Sequence, residues 1–279
     1  MSDYLHTKNK YILVGNKKIA YRELGNKSTK YPLLLLNHLS ATMDNWDPVF
    51  IDELSRENYI IVVDLPGVGA SEGKVPTSIA SMAEEAINFI SSLGYDKINL
   101  LGLSMGGFIA QDIVRQAPKL IRNLILVGTG PAGGTGIIDV TKVTFRDMVK
   151  GQFHHIDPKR YIFYPHTKNG KKDALEILGR MGQRTPKFMD KKISISSFLR
   201  QLKAIHKWGE SKSDSLKYIN VPTLIINGDN DTMVPTANSY EMHYKLKDSK
   251  LIIYPHAGHG SIFQYPNSSV KEINNFLHN

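Results

Sequence analysis

Short apolar runs alternate with amphipathic stretches along the first half of the chain. This alternation is typical of parallel strands that are joined by crossover helices. Apolar residues recur at steps of three and four from Ile79 to Leu93, which predicts a helix that Gly94 ends. A second helix is predicted from Met105 to Gln116, and an antiparallel hairpin over residues 10–24. The predicted parallel strands are Tyr31 to Asn37, Tyr59 to Asp64, Ile98 to Leu103 and Leu124 to Gly128.

The alternating pattern is interrupted after Gly128 and resumes from Val221 to Leu277. A glycine-rich stretch at 130–136 predicts a flexible junction, and irregular helical sequence follows it. We therefore expect an α/β fold with a mostly parallel central sheet flanked by helices. Its core is predicted to comprise residues 1–130 and 216–279, and an inserted helical cap to comprise residues 131–215.

The composition excludes several classes of protein. Of the 279 residues, 41% are apolar and none is cysteine. The chain is long enough for a sizeable core, and it has no disulfides, thiolate metal sites or cysteine nucleophile. The opening residues MSDYLHTKNK contain no apolar signal segment, and no apolar run approaches the roughly 18 residues of a membrane span. These features predict a cytoplasmic protein without a membrane span.

The excess of positive charge lies in one segment. Residues 131–215 contain 17 Lys and Arg against 8 Asp and Glu, whereas the remaining residues contain 18 of each. No zinc-finger spacing or RNA-binding aromatic pattern accompanies this charge, so we expect no nucleic-acid partner. A solvated basic face is the favoured interpretation, and attraction of an anionic small-molecule substrate is the alternative. Four aromatic residues of this segment are interpreted as its own core, with pocket lining as the alternative: Phe153, Tyr161, Phe163 and Tyr164.

The strongest chemical signal is the sequence Gly-Leu-Ser-Met-Gly at 102–106. The string is weak alone, but here it follows a predicted buried strand and begins a predicted helix. A serine on such a tight turn adopts a strained backbone, and glycines are needed where side chains would collide. The turn exposes the hydroxyl of Ser104 and presents the first amides of the helix to its target. Ser104 is therefore the candidate nucleophile.

A serine nucleophile requires a histidine base and an acid that orients the base. Two carboxylates, Asp229 and Asp231, follow one predicted strand of the second half. Two imidazoles, His256 and His259, follow the next strand. The carboxyl ends of strands are where open α/β sheets gather their sites. Both pairs therefore contain candidates for the remaining catalytic roles.

With these motifs the chain resembles the α/β-hydrolase superfamily, in which the order is serine, acid, histidine. The family's acid commonly lies in a G-x-x-D string followed by a proline, as Gly228 to Asp231 and Pro235 do here. The resemblance thus implies that Asp231 is the acid and His259 is the base. It also implies an acyl-enzyme mechanism with no cofactor and no metal.

The oxyanion loop departs from the family pattern. Asn37 and His38 occupy the positions where the family usually has His-Gly. The resemblance implies that the backbone amides of Leu39 and Met105 form the oxyanion hole, because any residue except proline can donate an amide. The Cβ atom of His38 alters the loop where glycine is usual. The alternative is that His38 reaches the site as a polar group.

These residues predict a serine hydrolase that cleaves a carboxylic ester or lactone of a small molecule. The Asp64 to Gly73 turn has glycine spacing that does not fit a dinucleotide-binding loop, and the histidines of the basic segment do not have metal-ligand spacing. An acyltransferase or a haloperoxidase-like perhydrolase could use the same triad. A slow-turnover ligand receptor is the alternative from another functional class.

Overall fold

One eight-stranded sheet organises residues 3–212 and 214–278, which are the residues that this computed structural model describes. Residues 1, 2, 213 and 279, which belong to the predicted core and cap segments, lie outside the described residues. The strands are β1 (Lys10–Val14), β2 (Lys17–Leu24), β3 (Leu33–Leu36), β4 (Ile60–Val63), β5 (Ile98–Leu103), β6 (Ile121–Val127), β7 (Thr223–Gly228) and β8 (Ser249–Tyr254). Their order across the sheet is β1-β2-β4-β3-β5-β6-β7-β8. The predicted hairpin forms β1 and β2, and β2 also pairs antiparallel with β4. Strands β3 to β8 pair with one another in parallel.

The predicted strands are confirmed, with small shifts at their ends. Strand β5 has the predicted bounds, whereas β3 begins after Pro32, whose nitrogen carries no hydrogen to donate. Strand β6 begins three residues before the predicted start because Asn123 still pairs with Asn99 of β5. Because Arg122 and Asn123 are polar, a prediction based on apolar runs did not include this extension.

Helices cover both faces of the sheet. Successive residues of β3 alternate between two apolar clusters, Leu34 joining one and Leu35 the other. The helices are α1 (Pro48–Leu54), α2 (Ile79–Ser92), α3 (Met105–Gln116), α4 (Val140–His154), α5 (Lys159–Phe163), α6 (Lys168–Met181), α7 (Ile195–Gly209), α8 (Ala237–Lys245), α9 (Ser261–Gln264) and α10 (Pro266–His278). Helices α2 and α3 pack on one face, and α1 and α10 on the other. None of the helices in the described part of the chain is long and apolar enough to cross a membrane.

The segment between β6 and β7 is mainly helical, as predicted, and its described residues form α4 to α7. Its apolar side chains do not form a separate core. Ile205 of α7 joins the cluster of α2 and α3, whereas Phe163 and Ile177 join the cluster of α1 and α10. The helices between β6 and β7 are therefore packed into both apolar clusters of the fold.

The glycine-rich stretch at 130–136 is a packed turn, whereas the sequence predicted a flexible junction. The amide of Gly133 donates to the carbonyl of Trp208 in α7, and Gly133 itself adopts a positive φ of 71°. A Cβ atom on Gly134 would lie 2.4 Å from the side-chain oxygen of Asn238 in α8. These glycines are thus required by close approach, which the sequence pattern alone could not distinguish from flexibility.

Candidate active site

Ser104 lies on a strained turn between β5 and α3. Its φ of 56° is positive although it is not glycine, and it forms the N-cap of α3. Hydrogen bonds fix both the backbone amide and the backbone carbonyl of Ser104. Its amide donates to the Val127 carbonyl at 2.8 Å, and its own carbonyl accepts from the Gly107 amide at 2.8 Å and the Thr129 hydroxyl at 2.9 Å. These bonds maintain a backbone conformation that a serine would otherwise avoid.

Two glycines of the motif make this turn possible. A Cβ atom on Gly102 would lie 2.3 Å from the carbonyl oxygen of Gly106, and one on Gly106 would lie 2.2 Å from that of Leu36. Real Cβ atoms do not approach backbone oxygens so closely. The sequence Gly-x-Ser-x-Gly is therefore dictated here by the packing of α3 across the ends of β3 and β5.

His259 and Asp231 form a buried hydrogen-bonded pair. Nδ1 of His259 lies 2.8 Å from Oδ2 of Asp231, and both side chains are almost fully inaccessible to solvent. The other carboxylate oxygen accepts the backbone amides of Met233 and Val234, each at 2.9 Å. Because a carboxylate accepts, Nδ1 carries the proton and Nε2 is left free to act as a base. Of the two predicted carboxylates, the exposed Asp229 makes no such bond.

A cavity of about 320 Å³ is lined by four of the six predicted site residues, and Asp231 and Met105 are not among its lining residues. Ser104, His259, His38 and Leu39 all line it. Within the described residues, Ser104 Oγ makes no direct hydrogen bond to His259; catalytic hydrogen bonds often tighten only when substrate binds. More than half of the lining side chains are apolar: Leu39, Val140, Met148, Pro158, Ile162, Phe163, Ile193, Ile195, Phe198 and Met233.

The loop after β3 accommodates the departure from the family pattern. The Asn37 amide group donates to the Val63 carbonyl and to Asp64, and its oxygen accepts the indole N–H of Trp46 at 2.6 Å. Asn37 is thus a structural residue. The positive φ of this loop falls on Ser40, at 61°, and not on His38. A Cβ atom at position 38 is therefore tolerated.

The ring of His38 is buried beside the cavity. Its Nδ1 lies 2.8 Å from the Leu39 carbonyl oxygen and must donate to it, which leaves Nε2 as an acceptor. Burial lowers the pKa of His38 to about 3, and the nearby charge of Lys159 contributes to this shift. His38 is consequently neutral at physiological pH and adds one acceptor nitrogen to the site.

The backbone amides of Leu39 and Met105 are candidate donors to an oxyanion. Within the described residues, neither donates a hydrogen bond to the protein. Met105 is the first residue of α3, so its N–H has no partner inside the helix. The Ser40 amide that follows Leu39 is instead bound by the Gln201 side chain of α7, at 2.8 Å. The inserted segment thereby fixes the loop that carries the Leu39 amide.

Phe163 and Lys159 are two of the residues of the inserted segment that line the cavity. Pocket lining was the predicted alternative for Phe163, and the sequence assigned no role to Lys159. Phe163, at the end of α5, packs against the rings of His259 and His38. The prediction that Phe163 belongs to the core of the cap was incomplete, because Phe163 also lines the cavity. Phe153 is exposed and is not among the residues that line the cavity. Lys159, at the start of α5, also lines the cavity. No sequence signal distinguished this lysine from the others of the basic segment.

The described residues contain no group of three or more His, Asp or Glu side chains that could hold a metal ion. The basic segment places His154, His155 and His166 on the surface. His166 contacts the Tyr161 carbonyl, at 3.3 Å. These histidines therefore form no shared site in the described structure.

Comparisons with known proteins agree with this architecture. A family model described as alpha/beta hydrolase fold matches residues 31–153, and one described as TAP-like protein matches residues 201–279. A solved alpha/beta hydrolase fold protein from Chitinophaga pinensis is 35% identical, with a TM-score of 0.92 and 99% of each chain covered. The monoacylglycerol lipase abhd6-A of Xenopus laevis is 27% identical, over 96% of this chain and 81% of its own. A poly(3-hydroxyalkanoate) depolymerase of Ectopseudomonas oleovorans is also 27% identical, over 80% and 76% respectively.

Proposed function

The chain belongs to the α/β-hydrolase fold family and acts on ester bonds, and we propose that it is a serine hydrolase that works through an acyl-enzyme intermediate. The observation that carries this proposal is the strained Ser104 at the start of α3, in one cavity with the Asp231-bound His259. A serine hydroxyl becomes an effective nucleophile only beside an oriented base, and this cavity supplies one.

In the proposed reaction, Nε2 of His259 takes the proton of Ser104 as Oγ attacks the substrate carbonyl. Asp231 holds the imidazole in the required tautomer and stabilises its cation. The amides of Leu39 and Met105 donate to the developing oxyanion. His259 then returns the proton to the leaving alcohol, and water releases the acyl group by the same steps. The free amides and the Nδ1-protonated His259 support these roles.

The proposed substrate is a small carboxylic ester or lactone. A cavity of about 320 Å³ has room for a compact ligand, and its largely apolar wall suits an acyl chain. We also propose that residues 131–215 act as a cap on a core of residues 1–130 and 216–279. The cavity supports this division because α4, α5 and α7 supply much of its wall opposite Ser104 and His259.

The test is to label the wild type and Ser104→Ala with a fluorophosphonate and to map the labelled peptide. We expect stoichiometric labelling at Ser104 and none in the variant, together with loss of turnover of p-nitrophenyl butyrate. Thermal unfolding of both proteins controls for folding. Ser104-independent turnover by a folded variant would refute the proposal. Labelling without multiple turnover would favour the slow receptor, and transfer to an added alcohol in preference to water would favour an acyltransferase.

A further inference from the structure

Lys159 is a partly buried cation on the wall of the catalytic cavity. It lines the same cavity as Ser104 and His259. Its ammonium group makes no salt bridge with any residue of the described ranges 3–212 and 214–278. Asp157 is the other charged residue of the wall, but it is exposed and its Oδ1 accepts the backbone amide of Lys159 at 2.9 Å. The charge of Asp157 acts on that of Lys159 without forming a salt bridge, so the ammonium has no ion-pair partner within the described residues.

The position of Lys159 on α5 relates it to the catalytic histidine. Lys159 and Phe163 are four residues apart, so they lie on the same side of this helix. The ring centroid of Phe163 is 5.2 Å from that of His259. Four residues of helix span about 6 Å. Lys159 therefore lies about one helical turn from the contact between α5 and His259.

The surroundings of Lys159 favour an anionic ligand. Burial lowers the pKa of Lys159, since the ammonium loses water and most of the neighbouring wall is apolar. The charge of Lys159 also acts on His38, a side chain of the cavity wall, because it contributes to the lowered pKa of that histidine. A charge that is partly desolvated without a partner carries a free-energy cost, and an anion bound beside it would remove that cost.

We propose that Lys159 binds a carboxylate carried by the substrate, so that the enzyme prefers esters with a free carboxylate over uncharged esters of the same length. This inference rests on the proposed serine hydrolase activity. One ammonium group in an apolar wall matches a single negative charge. A phosphate would present three acceptor oxygens, and a wall with one cation leaves most of them unpaired.

The experiment compares two sets of esters in the wild type and in Lys159→Met. The first set pairs p-nitrophenyl monoesters of succinate, glutarate and adipate with butyrate, valerate and hexanoate esters. The second set pairs butyrate esters of hydroxybenzoates with phenyl butyrate, which places the carboxylate on the alcohol. We expect the wild type to prefer the carboxylate in at least one set. Lys159→Met should lower that preference about 10- to 100-fold, mainly through KM, because charged hydrogen bonds are strong.

Lys192→Met is the matched control. Lys192 is exposed and does not line the cavity, but its charge is close enough to act on that of Lys159. Its removal should change the carboxylate preference only slightly, and raising the salt to about 1 M should abolish that change. Lys159→Arg should keep most of the preference. The effect of Lys159→Met should largely persist in salt.

Two results would overturn the inference. One is a wild type without carboxylate preference in either set, and the other is a folded Lys159→Met variant whose preference matches that of the wild type. Failure of the underlying activity is distinguishable, because it would also abolish Ser104-dependent turnover of the neutral esters. An equal loss on carboxylate and neutral esters would show that Lys159 has only a structural role.

Discussion

The ring of Phe163 lies against the ring of His259, with centroids 5.2 Å apart and planes at 63°. The carbonyl of Phe163 also accepts the amide of Gly260, at 2.9 Å. The phenyl ring also contacts the ring of His38, at 4.7 Å between centroids. A residue of the inserted segment is thus bound through its backbone and its ring to the loop that carries the candidate base. The inserted segment and the loop that carries His259 are therefore packed together.

Phe163→Ala should impair both stability and catalysis. Removal of a buried phenyl ring typically costs about 3–5 kcal/mol of unfolding free energy. The lost contact should also loosen His259, and a misplacement of about 1 Å can lower catalysis about 100-fold. Urea unfolding and kcat/KM on p-nitrophenyl butyrate measure the two effects. Phe153→Ala is the control, because Phe153 of the same segment is 80% exposed. A Phe163→Ala variant with wild-type kcat/KM would contradict the positioning role.

Asp231→Asn should lower kcat about 10³- to 10⁴-fold with little change of structure, because an amide that donates to Nδ1 stabilises the wrong imidazole tautomer. Asp231 accepts two backbone amides as well as His259. An asparagine oxygen can keep the backbone bonds while its NH2 group faces the ring. Asp229→Asn is the matched control at an exposed position two residues away. Equal losses in the two variants would remove Asp231 from its proposed role.

Local signals made the fold and the turn that carries the candidate nucleophile predictable. The elbow at Ser104 depends on glycines within two residues of it, and the strands that meet there are nearly continuous apolar runs. Both signals are contiguous in the sequence. The choice of Asp231 over Asp229 needed the family pattern, since both follow the same strand. In the structure only Asp231 is buried against His259.

The role of the inserted segment was not predictable from local pattern. Phe163 and Lys159 line the cavity because α5 packs against the loop after β8. This packing occurs through contacts of Phe163 with His259 and the residue that follows it, which are distant in the sequence. The loop after β3 is similar, because Gln201 of α7 fixes the amide of Ser40. A side chain whose role depends on its tertiary placement produces no periodic pattern in the sequence.

Arg180→Met should destabilise the protein by about 3 kcal/mol, because it leaves a buried carboxylate unpaired. Arg180 of α6 forms two hydrogen bonds with Asp47, at 2.8 and 2.6 Å, and the Asp47 side chain is fully buried. Asp47 also caps α1 by accepting the amide of Val49. Urea unfolding of the variant measures the loss, and equal free energies for variant and wild type would refute it.

Glu176→Gln provides the control for that measurement. Glu176 also pairs with Arg180, at 3.1 Å, but its side chain is 66% exposed. Exposed pairs contribute about 0–1 kcal/mol, so this change should be nearly neutral. If Glu176→Gln lowers the unfolding free energy as much as Arg180→Met does, the ion pair of Arg180 with Asp47 is not the source of the loss.

His38 should make the folded state less stable as the pH is lowered. Its pKa is about 3 in the folded protein, against an ordinary value of 6.5, because burial and then the charges of Lys159 and His259 disfavour the cation. Between these values the unfolded chain binds a proton that the folded chain does not. The contribution of His38 to stability is therefore complete above pH 6.5 and is lost toward pH 3, at up to about 1.4 kcal/mol per pH unit.

His38→Asn tests this linkage, because its side-chain NH2 group can replace the Nδ1 donor to Leu39 without titrating. We expect the unfolding free energy of the variant to depend less steeply on pH between about 4 and 6.5, by close to one proton. His256→Asn, at an exposed position, should leave the wild-type slope intact. An unchanged stability slope would show that His38 titrates in the folded protein as it does in the unfolded chain.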